Sequence, residues 1–442
     1  MTEVSRRSFV AGGFALVGAC GVPLPALASV ERAIPTRRFV DAVGICTHPN
    51  WRKDLWGSID WGSAFLETGV LHTRGKIGRG SPGKAALADL QRLFARGVKI
   101  CVTVASQSGE FDLAETKSNI DFLTNYVGAQ NISAIESANE YNKPASRPAD
   151  WAAQLRNFQK WLHDTVRANP KLDEVPLVGP SIWGRLTNDY ITLGNLETTV
   201  DKGCLHYYTG GRRPSKAGKP SGSSEGGGAG EYTLANAIRE AKILAPTKPL
   251  WITEYGYPVA GPGLPLRAGF ITEEAAAKYL IRGLLDAYGE GVEKIYIYSL
   301  LDDVQRHPPR YHGLIDGEFR RRPAFFAVKN LMALMFDKGT AFIPGRLDYA
   351  VTNGTWAKRK LFQKSDGTFL LTMYQDVDSY NRLQKRDIIV APVPVGLTLA
   401  QPAAKIEVFT PTMDLAAKLS AINAKTITVP VGDHVTVVKI TP

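Results

Sequence analysis

Cysteine is scarce: the 442-residue chain has four. Cys20 lies near the N-terminus, while Cys46, Cys101 and Cys204 each sit in an apolar, strand-like run. Three at buried-looking positions argue against a disulfide framework. No CxxC pair and no His/Cys cluster has metal-ligand spacing, so neither a structural metal nor a cofactor is expected. Acidic residues are also in deficit, 42 Asp and Glu against 53 Lys and Arg, for a formal net charge of +11. Such a balance suits nucleic acid, an anionic surface or an acidic substrate. No basic run is interleaved with aromatics, which argues against a nucleic-acid partner. An uninterrupted apolar stretch of the ~20 residues that a membrane span needs is missing too. What is present is ordinary for a globular protein, 44% hydrophobic and 21% charged residues, which excludes a disordered or fibrous chain. The length accommodates two domains, or one large barrel with an accessory module.

The N-terminus carries the first specific signal. "SRRSFVAGGFALVGAC" has the Arg6-Arg7 pair, Phe9 and a moderately apolar stretch, and "ALA" at 26–28 offers a small-residue cleavage site before Ser29. This is the pattern of a twin-arginine export signal over residues 1–30. It implies a periplasmic or secreted protein; lipidation at Cys20 is the alternative.

From about residue 38 to 335, short apolar runs alternate with amphipathic segments. Eight candidate strands are 39–47, 69–75, 98–106, 132–140, 175–183, 203–209, 249–256 and 294–302. They are almost continuously apolar, as strands buried on both faces should be. Helical spacing falls between them at 84–96, 151–166, 234–245 and 273–288, with a last helix at 320–336; in 151–166, Trp151, Leu155, Phe158 and Leu162 share one face. Alternating strands and helices in this number predict a (β/α)8 TIM barrel over 31–337. A doubly wound sheet is the competitor, but no Gly-rich phosphate loop follows the first strand. Past residue 337 the pattern changes to short strand-like runs separated by turn residues. Residues 338–442 are therefore expected to form a C-terminal antiparallel β-sandwich.

Barrel chemistry sits at the C-terminal ends of the strands. Strand four ends in "ANEYN", with Asn139 and Glu140, and strand seven in "TEYGYP", with Glu254. Strand two ends with Arg74, and strand six with His206 and Tyr208. Two carboxylates at one barrel mouth are what glycosidic hydrolysis requires, one protonated and one ionised. A cation and a Tyr hydroxyl would keep Glu254 ionised, and like-charge repulsion would keep Glu140 protonated. Glu136 faces the barrel interior by period-two spacing and should pair with a cation. His48, Trp51 and Trp183, just past strands one and five, are candidates for stacking on sugar rings. Arg212, Arg213, Lys216 and Lys219 flank strand six and a Gly-rich stretch at 219–231, and would suit an anionic glycan.

With these motifs in view, the chain resembles the clan A retaining glycoside hydrolases, family-39-like and related members. "IESANEYN" and "WITEYGYP" match that clan's two catalytic segments, and "VGICTH", "VGPS" and "YHGLIDGEFRRRPAFFAVKNL" also fit. The resemblance implies that Glu140 is the general acid/base and Glu254 the nucleophile. It also implies that Asn139 binds the hydroxyl beside the anomeric carbon, that Tyr208 and Arg74 hold Glu254, and that His206 lines the same subsite. Tyr298, after strand eight, takes the place of a Trp common in the clan. The carboxyls should then lie about 5–5.5 Å apart and configuration should be retained. The partner implied is a carbohydrate, and the state a monomer. A non-catalytic glycan-binding barrel and a transglycosylase using the same residues are the alternatives.

Overall fold

The computed structural model describes residues 28–442 apart from 53, 78–82, 106–108, 144–146, 186, 218–231, 262 and 305–309. The expected export signal as far as residue 27, with Arg6, Arg7 and Cys20, and the Gly-rich stretch with Lys219 lie outside the described residues. Eight strands form the barrel: β1 (Val43–Cys46), β2 (His72–Gly75), β3 (Lys99–Thr103), β4 (Ile132–Glu136), β5 (Leu177–Val178), β6 (Gly203–Tyr207), β7 (Leu250–Tyr255) and β8 (Lys294–Ile297). Each pairs in parallel with its neighbours in the order β5-β4-β3-β2-β1-β8-β7-β6, and a parallel bridge from Val178 to Lys202 closes the ring. Every residue of β1, β2, β6, β7 and β8 is buried. That is why their sequences read as apolar runs rather than as alternation.

The strands are shorter than the apolar runs that announce them. Residues 39–42 belong to a helix, Thr36–Ala42, and not to the first strand. Its buried Thr36, Phe39 and Val40 stand at helical spacing, a face hidden in the sequence because the strand follows without a break. The expected outer helices appear at Gly83–Phe94, Trp151–Arg167, Leu234–Ala241, Glu273–Gly289 and Pro323–Met335. Side-chain caps start several helices: Thr233 accepts from the Asn236 amide and Thr272 from the Ala275 amide, each meeting an otherwise unsatisfied donor. Two helices that periodicity did not single out, Trp61–Glu67 and Leu113–Phe122, are capped by Asp60 and Asp112. Among the described residues no helix is long and apolar enough to cross a membrane.

The second body is an eight-stranded, mostly antiparallel sheet. Its longest strand, Val393–Phe409, pairs first with Arg346–Thr352 and then, past an irregularity between Thr398 and Ala403, with Thr436–Thr441. The irregularity lets one strand serve both halves of the sandwich. Leu361, Leu371, Leu397, Ile406, Val429 and Val438 lie in the core between them. This body is not C-terminal alone. Ala28–Arg32 pairs with Arg346–Thr352, and Ile34–Pro35 with Lys358–Gln363, so residues 31–35, expected in the barrel, lie in this sheet instead. Pairing partners more than 300 residues apart leave no local pattern to read.

Candidate active site

Arg74 organises the barrel mouth. It is the third residue of β2, points inward, and its side chain is 3% exposed. Its Nε and Nη2 donate to Glu136 at 2.5 and 2.7 Å. Nη1 donates to Oε1 of Glu254 at 2.9 Å, and Nη2 also reaches Oδ1 of Asn139 at 2.6 Å. One guanidinium thus fixes groups from β4 and β7 through its fork of donors. Glu136, fully buried at the end of β4, has the cation that its inward position calls for.

Glu254 occupies the next-to-last position of β7. Besides Arg74, its Oε2 accepts from the Tyr208 hydroxyl at 2.7 Å, and His206 Nδ1 lies 3.5 Å away. Burial pushes this carboxyl up and the Glu140 charge adds to that, but the charges of His206 and Arg74 and the Tyr208 hydroxyl outweigh both and hold it below the usual range. Tyr208, for its part, is pushed well up by burial and by Glu254, so its phenol stays protonated and donates.

Glu140 follows β4 in a turn with positive φ, 51°, while its amide donates to Ser181 beyond β5. The turn aims the carboxylate across the mouth toward β6. His206 Nδ1 lies 3.0 Å from Oε1, and Lys143 Nζ donates to Oε2 at 2.7 Å. Burial raises this carboxyl, but the hydrogen bonds and charges of His206 and Lys143 prevail and bring it down to about 2. This corrects the expectation that repulsion from Glu254 keeps Glu140 protonated: two donors at hydrogen-bond distance outweigh one like charge. Donor atoms of Glu140, His206 and Glu254 all lie within 4.8 Å of one another. Glu136, Cys204 and His206 meet the same test, yet Arg74 and Lys143 already neutralise the carboxylates a metal would take.

These groups line a cleft of about 770 Å³. All nine sequence candidates are on its wall: Arg74, Asn139, Glu140, His206, Tyr208, Glu254, His48, Trp183 and Tyr298. Trp51 joins them, stacked on His48 with ring centres 3.9 Å apart. Tyr298 meets Tyr208, His48 and His312 edge-on. The basic loop behaves otherwise: Arg212, Arg213 and Lys216 are not on the cleft wall, and Arg213 faces Asp376 and Asp378 of the second body at 3.5 and 3.8 Å. Sequence reasoning missed Lys143, Lys76, Arg310 and His312, which do line the cleft. For Lys143 a signal existed, since it stands three residues after Glu140.

No protein-family model matches the chain, and no curated protein matches it. Solved structures do. A glucosidase from Croceicoccus marinus is 11% identical with a TM-score of 0.63, covering 94% of this chain and 99% of that one. A GH39 enzyme from Xanthomonas axonopodis pv. citri is 15% identical, with a TM-score of 0.60 and coverage of 93% and 96%. A monomeric beta-xylosidase from Caulobacter crescentus CB15 is 14% identical, with a TM-score of 0.59 and coverage of 93% and 98%. At such identities the likeness is one of fold: a parallel barrel and a β-sandwich along nearly the whole chain.

Proposed function

We propose that the chain is a retaining glycoside hydrolase acting on an oligo- or polysaccharide. The observation that carries this is the approach of a carboxylate oxygen of Glu140, in the turn after β4, and one of Glu254, near the end of β7, to within 4.8 Å. That separation suits a nucleophile attacking the sugar directly, and leaves too little room for the water of an inverting enzyme. The glucosidase and beta-xylosidase with this fold support the same reaction class.

In the first step Glu254, ionised and aimed by Arg74 and Tyr208, bonds to the anomeric carbon as the glycosidic C–O bond breaks. Glu140 gives its proton to the departing oxygen. In the second, Glu140 takes a proton from water, whose oxygen displaces Glu254 and restores the free carboxylate. Asn139, its Oδ1 engaged by Arg74, keeps its amide nitrogen for the neighbouring sugar hydroxyl. His206 bridges the two carboxylates. His48, Trp51, Trp183 and Tyr298 give the sugar rings apolar faces. The leader-like sequence supports export to the periplasm or beyond.

Glu254→Ala and Glu140→Ala are expected to fold and to lose activity, the latter by roughly 10²–10⁴-fold, the usual worth of a proton donor. NMR of early product on a cleaved glycan should read retained configuration. Full activity in either variant rejects the assignment, and an inverted product rejects the retaining step. One observation favours a second reading, glycan binding without cleavage: Lys143 and His206 hold Glu140 ionised, the wrong state for an acid. Covalent labelling of Glu254 by a mechanism-based fluorosugar separates the two.

A further inference from the structure

Glu140 has both carboxylate oxygens engaged, Oε1 by His206 and Oε2 by Lys143. To protonate a leaving group, one of them must be released. His206 is fixed within β6 with its side chain 2% exposed, whereas Lys143 lies on the loop beyond β4 and is 22% exposed. A compact charge on a long flexible stem is the group that can move. Lys143 gives up a buried carboxylate readily only for another anion, because an unpaired charge there is costly.

The rest of the cleft supplies the same sign. Among the described residues, Glu140 and Glu254 are the only acids on its wall, while Lys76 and Arg310 line it with no ion pair to a described residue. Burial and the Arg310 charge together push His312 down to about 3, so that imidazole is neutral and offers a hydrogen bond rather than a charge.

We infer that the substrate glycan carries a carboxylate close to the scissile bond, as a uronic acid does, and that this carboxylate draws Lys143 off Glu140 and so readies the acid. The inference rests on the hydrolase reading of the cleft. With Lys143 turned to the substrate, the groups still facing Glu140 are His206 of β6 and Tyr208 just past it, Glu254 from β7, and Arg74 from β2 by way of Asn139. Loss of the cation together with the nearby Glu254 charge favours uptake of a proton from solvent. A neutral glycan leaves Lys143 in place and the acid ionised, so selection acts on readiness for reaction as well as on binding.

The test reads binding, so that it stands apart from cleavage. Glu254→Gln, as a background without turnover, is titrated calorimetrically with cellobiouronic acid against cellobiose and digalacturonate against galactobiose. In at least one pair the uronate should bind several-fold to about tenfold more tightly, the scale of one partly exposed ion pair. Adding Lys143→Met should abolish the preference, and Lys143→Arg should retain it. Equal or weaker uronate binding in every pair overturns the inference, as does a Lys143→Met protein that keeps the preference. If Lys143→Met does not fold, the comparison of pairs in the parent protein decides alone. The hydrolase reading falls on different results, uninhibited Glu140→Ala and Glu254→Ala enzymes.

Discussion

A single buried guanidinium serves three carboxylate or amide partners at the barrel mouth, and that arrangement fixes what its removal costs. Arg74→Met leaves Glu136 as a fully buried charge without its cation. The expected loss is about 3–5 kcal/mol, read by urea unfolding, together with an activity loss that no folded fraction restores. Tyr208→Phe is the gentler probe of the same carboxylate. It removes a hydrogen bond to a charged group, about 1.5–3 kcal/mol, so Glu254 should titrate roughly one unit or more higher, and the acid limb of kcat/KM should move up with it. Lys143 acts on the other carboxylate and leaves a trace in stability. Glu140 is depressed from 4.5 to about 2, so its ionised form stabilises the fold fully above pH 4.5, and this contribution fades as pH falls from there toward 2. Lys143→Met brings Glu140 back toward its ordinary value. The variant should lose less stability than the parent between pH 4.5 and 2 in acid titrations followed by circular dichroism. Glu140 and Glu254 could be found from the sequence because strand ends mark the barrel mouth. Lys143 was signalled only by its place three residues after Glu140, and that spacing does not reveal the contact, which depends on a left-handed turn at Glu140 that no residue type there announces.

At the scale of elements, both catalytic candidates sit where a strand departs from regularity. β7 changes register between Ile252 and Glu254 against β6, and between Ile252 and Tyr255 against β8, which turns Glu254 toward the axis. Gly256 follows at once, and a Cβ there would stand 2.3 Å from the Tyr298 carbonyl oxygen. That oxygen belongs to backbone on the neighbouring strand end and cannot rotate away. Gly256→Ala is therefore expected to cost about 1–3 kcal/mol and to lower activity by displacing Glu254 and Tyr298 together, as thermal melts and kcat would register. The barrel order was legible because eight buried strands wrote eight apolar runs into the sequence. Strand limits were less so: the run 132–140 continues past β4 through an extended bridge from Asn139 to Ser181, and apolarity alone does not distinguish that continuation from the strand itself. The strands within residues 28–35 were illegible, being defined by partners near residues 346–363.

On the scale of the whole molecule, the barrel and the sandwich share one interior. Phe362, Leu370, Tyr374, Phe409 and Val437 from the second body pack into the same apolar cluster as the barrel helices. Charges are sealed into the junction as well. Arg282, fully buried on the barrel helix Glu273–Gly289, donates to Asp376 at 3.2 Å and to the Val377 carbonyl at 3.0 Å. From the same helix, Asp286 accepts from Lys358 at 2.6 Å and from Tyr374 at 2.5 Å. A boundary so built is a core rather than a hinge, because parting it would expose apolar side chains and strand a guanidinium. The two bodies should unfold together, as one calorimetric transition. A chain cut after residue 337 should fail to give soluble, folded barrel, since both the cover over that cluster and the two edge pairings of residues 28–35 would be gone. Two separate transitions, or a soluble truncated barrel with native circular dichroism, would show that the sandwich is an attachment. The second body would then bear on substrate capture alone, and not on holding β7 and its following helix in the geometry that aims Glu254.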